Sequence, residues 1–254
     1  MPMDTYTYLL ISLLLFLPWL TIYSLGKGLR KKMLKVSVIG GLAGFIAEYW
    51  YFKDYWHPPT LMGQSIISIE DFLFGFTIMG IAVSIYEFAF SIKKEPLYKN
   101  RRRLFGHMFL VGILCLTLFN VVLGINSIIV SCAVFVTFTI FILFLRHDLV
   151  LQAIASGILT VVVVLPIYAL LFNVINPDYW DSYWFLARTK LGVTVLGNIP
   201  VTELSWYFTL GSFAGAAHSF TSGRGRVKVQ LSISDVQVPI LQLDIIYDDI
   251  NITE

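Results

Sequence analysis

Five carboxylic acids within runs of apolar residues are the side chains of this sequence most able to do chemistry. They are Glu48, Glu70, Asp71, Glu87 and Glu203. An ionisable group in an apolar run is costly, so each one marks a candidate functional site. Two carboxylates that share an apolar setting cannot both stay ionised, and the result is a protonated acid beside a carboxylate base. Such a pair can protonate a substrate at one point and deprotonate it at another.

The composition indicates that most of the chain that positions these acids lies in lipid. The 254 residues are 57% apolar and 13% charged, with a mean hydropathy of +0.77, whereas soluble domains are nearer half apolar and a quarter charged. A membrane-spanning helix needs about 20 mostly apolar residues, so we predict an all-α polytopic membrane protein with about seven transmembrane helices. The predicted spans are 6–25, 35–52, 67–92, 104–124, 127–145, 149–173 and 192–217.

The distribution of basic residues predicts the orientation of these spans. All but three of the 18 Lys and Arg residues fall on one side of the predicted layout. The exceptions are Lys53, Arg188 and Lys190. Because cytoplasmic loops carry an excess of Lys and Arg, the N-terminus is predicted outside and the C-terminus in the cytoplasm. The first span lacks a basic leader and a small-residue cleavage site, which favours a retained helix in a multi-pass protein of the cell membrane.

The segment from Ser222 onward has a different pattern. Apolar and polar residues alternate from Val227 to Ile233, which is typical of a β-strand. Pro239 interrupts the alternation and a second apolar run follows. We predict a cytoplasmic tail at 221–254 with a possible β-hairpin, through which the protein could form a homo-oligomer.

Two segments match without gaps and indicate an internal repeat. Residues 68–77 (SIEDFLFGFT) align with 200–209 (PVTELSWYFT), and each segment opens a span that enters the membrane from outside. We therefore predict one domain at 1–220, with parallel halves at about 1–92 and 127–220 and a linker helix at 104–124. Parallel repeats of this kind place a site at their shared interface.

The repeat sets Glu70, Asp71 and Glu203 at one depth on two helices, and we predict these three as the catalytic residues. Glu203 is assigned as the proton donor and the Glu70–Asp71 pair as the group that stabilises the cation and accepts the departing proton, and the reverse assignment stays open. A carboxylate at a helix N-terminus is also favoured by the helix dipole alone, which is the structural alternative. Aromatic faces near the acids can stabilise a cation. The candidate substrate-binding residues are Glu48, Trp50, Phe72, Phe74, Trp206 and Tyr207. Glu87 is expected instead to pair with the basic loop that follows it.

The two motifs resemble those of the membrane lycopene cyclase domain family. The matching motifs are Ile-Glu-Asp-Phe-Leu-Phe at 69–74 and Ile-Pro-Val-Thr-Glu-Leu-Ser-Trp-Tyr-Phe at 199–208. The resemblance as a whole covers roughly residues 1–220. The family's fused form has two motifs of the type Pro-x-Glu-Glu/Asp. By that match Glu70 and Asp71 take the acidic places of the first motif, and Glu203 takes the second acidic place of the other. Ser68 stands in place of the first proline, and Thr202 stands in place of an acid.

The resemblance implies a cofactor-independent, redox-neutral cyclisation of the linear end groups of lycopene or a related carotenoid. No metal or other cofactor is expected. The implied partners are a hydrophobic isoprenoid substrate and membrane lipid, and no nucleic acid. Gly40, Gly41 and Gly44 lie inside a span, where they favour helix packing over phosphate binding.

Three other functions remain open from the sequence. Another terpenoid cyclase would use the same acids to protonate an alkene. A proton-coupled transporter or a non-catalytic binder of a hydrophobic ligand would also use paired acids. A retinal-binding seven-helix protein needs a lysine deep in its last helix, and the run 191–217 has none.

Overall fold

The described part of the chain is almost entirely helical, which confirms the predicted all-α membrane fold. The structure is a computed structural model and describes residues 3–63 and 65–226. Those residues form eight helices and four very short strands. The helices are α1 Asp4–Leu25, α2 Arg30–Asp54, α3 Ile69–Ala89, α4 Arg102–Leu116, α5 Ser127–Leu145, α6 Val150–Leu170, α7 Tyr179–Tyr183 and α8 Val201–Ser222. Helices α4 and α6 each continue into a π-helical turn, at Thr117–Val122 and Leu171–Ile175.

Six helical segments among the described residues are long and apolar enough to cross a membrane. They correspond to α1–α6 with their flanking turns, and their bounds agree with the first six predicted spans. The last long helix, α8, has 22 residues and is not among these six segments. It packs against α3, α5 and α6, so its polar groups lie inside the bundle.

The seventh predicted span, 192–217, begins too early. Helix α8 starts at Val201, and a small hairpin of β1 (Thr194–Val195) and β2 (Ile199–Pro200) precedes it. Leu196 and Gly197 turn this hairpin with φ values of 50° and 94°. Pro200 then has an extended backbone and occupies the N-cap position of α8, so the apolar residues before it belong to the loop.

The two halves pack in the same way, with the third helix of each half against the other two. Helix α3 contacts α1 and α2, α8 contacts α5 and α6, and α3 and α8 meet in the centre. Glycines permit the closest approaches, because a Cβ on Gly75 would overlap the carbonyl oxygen of Gly40, and one on Gly211 would overlap Thr160. This packing agrees with the proposed parallel repeat; the division into domains stays a prediction.

Asp54, the last residue of α2, ties three helices together at the predicted outer end. Its carboxylate accepts hydrogen bonds from the Asn120 amide, beyond α4, and from Ser127 N–H and Oγ at the start of α5. Its own carbonyl oxygen accepts a hydrogen bond of 2.7 Å from Asn126. The end of the linker helix is therefore anchored to the α2–α5 corner.

At the opposite end, Glu87 forms two buried salt bridges. Its carboxylate oxygens lie 2.8 Å from Lys32 Nζ and 2.8 Å from Lys94 Nζ, as expected from the basic loop. Burial lowers the pKa of Lys94 to about 8, against the opposing effect of Glu87. Lys94 belongs to a short strand, Lys94–Pro96, that pairs antiparallel with Arg224–Arg226. The tail predicted at 221–254 lies outside the described residues from 227 onward.

Candidate functional site

A cavity of about 250 Å³ lies among α1–α6 and α8. Its wall is almost entirely apolar and aromatic, and it contains three carboxylic acids: Glu48 from α2, Asp71 from α3 and Glu203 from α8. No Lys, Arg or His lines it within the described residues. Buried carboxylates without a cation are unusual, so the cavity is the candidate functional site.

Asp71 is held by the N-terminus of α3. Ser68 caps this helix, and both its backbone N–H and its hydroxyl donate to Asp71 Oδ2, at 2.7 and 2.8 Å. The hydroxyl of Tyr8, on α1, donates to Asp71 Oδ1 at 2.8 Å. Three donors on one carboxylate stabilise its ionised form. Ser68 therefore supplies two of these hydrogen bonds.

Glu203 occupies the matching place at the N-terminus of α8 and is held by tyrosines. Tyr55 donates to Oε1 at 2.6 Å and Tyr168 donates to Oε2 at 3.0 Å. The Tyr55 hydroxyl also lies 3.2 Å from Thr202 Oγ1, and the Tyr168 hydroxyl lies 2.6 Å from that of Tyr207. Both carboxylate oxygens thus have a donor, and the hydroxyl chain extends on either side.

Glu48 is the third acid of the cavity wall. Its carboxyl group is buried and is close enough to Asp71 and to Glu203 to interact with the charge of each. The Trp56 indole lies near it, and no direct hydrogen bond to Glu48 is found in residues 3–63 and 65–226. Asp71 and Glu203 share the cavity wall, and no direct hydrogen bond between them is found in residues 3–63 and 65–226. The two motifs therefore meet at one cavity, to which Glu48 also contributes.

Two candidate residues of the first motif, Glu70 and Phe72, do not line the cavity. The Glu70 side chain is fully buried outside the cavity wall, where Oε1 accepts a hydrogen bond of 2.8 Å from the Leu61 N–H. Its Oε2 has no hydrogen-bond partner among the described residues. Phe72 points at α2, where its ring packs over Gly41 and 5.6 Å from the Phe45 ring. In this structure both residues support the α2–α3 region rather than the cavity surface.

Three of the aromatic candidates line the cavity. They are Trp50, Phe74 and Trp206. The Phe74 and Trp206 rings stack with centroids 6.1 Å apart, and the Trp206 indole donates to the Tyr51 hydroxyl at 2.9 Å. Tyr207 lies behind the wall and contributes its hydrogen bond to Tyr168. These faces could stabilise a cation that forms beside the acids.

Sequence reasoning missed the hydroxyl groups that hold the acids. Tyr8, Tyr55 and Tyr168, which hold Asp71 and Glu203, are not among the site residues predicted from the sequence. A polar hydroxyl in the middle of a span was the available signal, because it needs a buried partner. Within residues 3–63 and 65–226, no group of three or more His, Cys, Asp or Glu residues could hold a metal ion.

The fold and this cavity define a multi-pass membrane protein with buried acids around an apolar ligand space. A family model described as lycopene cyclase matches residues 4–89 and 126–221, which is more than half of the chain. The protein therefore belongs to the lycopene cyclase family. The matched segments contain all three cavity acids and leave out the linker helix α4. No curated protein and no solved structure matches the chain.

Proposed function

We propose that the protein cyclises the linear end groups of lycopene or a related carotenoid inside the membrane, without net oxidation or reduction. The observation that carries the proposal is the apolar cavity in which Glu48, Asp71 and Glu203 converge without a basic residue in the described wall. A hydrocarbon substrate offers no polar group to bind. Such a cavity suits it because the wall provides apolar contact and the acids provide protons.

The chemistry that these groups support is an isomerisation. A protonated acid adds its proton to the terminal double bond of the substrate, which leaves a tertiary carbocation. The electrons of a nearby double bond attack that cation, so that a carbon–carbon bond closes the ring and the positive charge moves to a ring carbon. A carboxylate then removes a proton from an adjacent carbon and restores a double bond. One proton enters and one leaves, so the product has the formula of the substrate.

Asp71 and Glu203 are suited to the anionic roles. Each is held in place by donors and faces the same space, so each can stabilise a cation there and accept a proton. The aromatic faces of Phe74 and Trp206 add cation–π stabilisation. The hydrogen bonds to these carboxylates are made before the substrate arrives, so little reorganisation is needed when the cation forms.

The polyene chain beyond the reacting end group must extend out of this small cavity. The rim on one side is formed by Ile46 of α2 and Phe109 of α4, which are each 54% exposed on the lipid-facing surface. We propose that one end group enters the cavity at a time between α2 and α4 while the rest of the substrate stays in the bilayer. Larger side chains at this rim should slow turnover and raise KM.

The predicted orientation places the acids near the outer ends of their helices, in the cell membrane. Asp71 and Glu203 open helices α3 and α8, and Glu48 lies two turns before the end of α2. We propose this N-out, C-in arrangement from the distribution of Lys and Arg. Labelling of a cysteine at position 99 by an impermeant reagent in intact cells would contradict it.

Expression in a lycopene-accumulating host tests the proposed function. We expect lycopene to decrease and cyclic carotenoids of the same mass to appear, and purified protein to form them from lycopene without added reductant. The matched control is the double variant Asp71→Asn/Glu203→Gln, which keeps the size of both side chains. Folded wild-type protein that leaves lycopene unchanged would overturn the proposal, and redistribution of unchanged lycopene would favour a transporter.

A further inference from the structure

The three acids in the cavity cannot all be ionised. Glu48, Asp71 and Glu203 line one apolar space, and within the described residues no Lys, Arg or His shares that wall. Like charges brought together without a cation raise the cost of each ionisation, so at least one carboxyl group must be protonated. The exposed fractions of the three residues are similar, at 6%, 3% and 7%, so burial alone does not decide which one holds the proton.

Hydrogen bonding distinguishes the three acids. Asp71 accepts three hydrogen bonds from Ser68 and Tyr8, and Glu203 accepts two from tyrosine hydroxyls. Donors of this kind favour the carboxylate form. Glu48 accepts no direct hydrogen bond within the described residues and has only the Trp56 indole near it, and it shares the cavity wall with two like charges. The proton is therefore least costly on Glu48.

We propose that Glu48, and not the Glu203 predicted from the sequence, is the general acid that protonates the substrate. This assignment rests on the proposed cyclase function. The Glu48 carboxyl proton bonds to the less substituted carbon of the terminal double bond, the alkene electron pair forms that C–H bond and leaves the tertiary cation on the other carbon, and Glu48 becomes a carboxylate. After ring closure, Asp71 or Glu203 removes the leaving proton. That proton then returns to Glu48 across the shared cavity, which resets the site.

The first test compares Glu48→Gln with wild-type protein and with Glu95→Gln, a matched change at an exposed carboxylate in the predicted cytoplasmic loop. A general acid typically contributes about 10²–10⁴-fold to a rate, so turnover of lycopene should fall at least about 100-fold in Glu48→Gln. Lycopene should still bind, as measured by its absorption in the purified variant. Glu48→Gln with turnover close to that of Glu95→Gln would overturn the assignment. An inactive wild-type protein would instead overturn the proposed function, and the assignment with it.

Infrared spectroscopy tests the same inference without relying on activity. The carbonyl stretch of a protonated carboxylic acid, identified by its shift in D₂O, should persist in Asp71→Asn, Glu203→Gln and Glu70→Gln and disappear in Glu48→Gln. If Glu48→Gln does not accumulate, persistence in the other three variants still supports the assignment. Loss of the band in Glu203→Gln, Asp71→Asn or Glu70→Gln would show that another residue holds the proton and would overturn it.

Discussion

The tyrosine hydroxyls around Glu203 should control which acid carries the catalytic proton. Tyr55→Phe removes the donor that lies 2.6 Å from Glu203 Oε1 and leaves the aromatic ring in its buried place. Glu203 then keeps only the hydrogen bond from Tyr168. Because the carboxylate form of Glu203 loses stabilisation, its affinity for a proton increases relative to that of Glu48.

The size of this effect follows from the type of hydrogen bond that is lost. A hydrogen bond to a charged group contributes about 1.5–3 kcal/mol. A free-energy change of that size alters the sharing of the proton between Glu48 and Glu203 by about 10- to 150-fold. We expect kcat to fall within that range while KM changes little, since Tyr55→Phe keeps the apolar ring in the cavity wall and a hydrocarbon substrate cannot hydrogen-bond to the lost hydroxyl. Tyr168→Phe should have a similar effect, and the double variant should not be additive, because both tyrosines act on one carboxylate.

Steady-state turnover of lycopene by purified protein in detergent or nanodiscs measures this effect. Tyr49→Phe is the matched control, because Tyr49 lies on α2 with 61% of its surface exposed and outside the cavity wall. A thermal unfolding scan of each variant separates a loss of catalysis from a loss of folded protein. Turnover of Tyr55→Phe equal to that of Tyr49→Phe in folded samples would refute the reasoning.

Three further predictions concern stability, measured by unfolding of the purified protein in detergent. Gly75→Leu should destabilise the bundle by about 3 kcal/mol, because a Cβ at this position overlaps the Gly40 carbonyl oxygen. Gly28→Ala should be nearly neutral, because Gly28 has open space around it. Equal stability of the two variants would contradict the close α2–α3 packing. Asp54→Ala should lower the free energy of unfolding by about 1–3 kcal/mol, since the buried donors of Asn120 and Ser127 lose their acceptor. An unchanged unfolding midpoint would show that these hydrogen bonds of Asp54 are unimportant for stability. Burial lowers the pKa of Lys94 to about 8 from an ordinary 10.5, so above pH 8 the folded state binds fewer protons than the unfolded state. The free energy of unfolding should therefore rise between about pH 8 and pH 10.5. A similar rise in Lys94→Met would contradict this reasoning.

The fold was largely predictable because a bilayer permits few arrangements of the backbone. Uninterrupted apolar runs gave six spans with bounds within a few residues of the helices, and the run 127–145 coincides with α5. The start of the last helix was not predictable from hydropathy. Residues 192–200 are apolar enough to extend the span, but Gly197 and Pro200 end the loop there instead. The tail pattern from 227 onward stays a prediction.

The candidate site was predictable in its acids and not in the groups that hold them. The repeat brought Asp71 and Glu203 to one depth, and the structure places both on one cavity wall. It also places Glu70, one residue earlier, against a loop backbone, since neighbouring residues on a helix point in different directions. The partners of the acids come from α1, the end of α2 and α6, up to 148 residues away along the chain. No local pattern contains contacts of that separation.

Helices α3 and α8 begin with similar geometry, and the proposed chemistry requires that their N-termini are not identical. Asp71 is held by a serine cap and one tyrosine, whereas Glu203 is held by two tyrosines next to the neutral Thr202. A fourth acid at position 202 would add another negative charge close to this hydroxyl chain. The site also depends on α2, which contributes the third acid, Glu48, to the same cavity wall. The proposed reaction needs one acid that is less stabilised as a carboxylate than the other two, if one proton is to be delivered and another removed at the same substrate end.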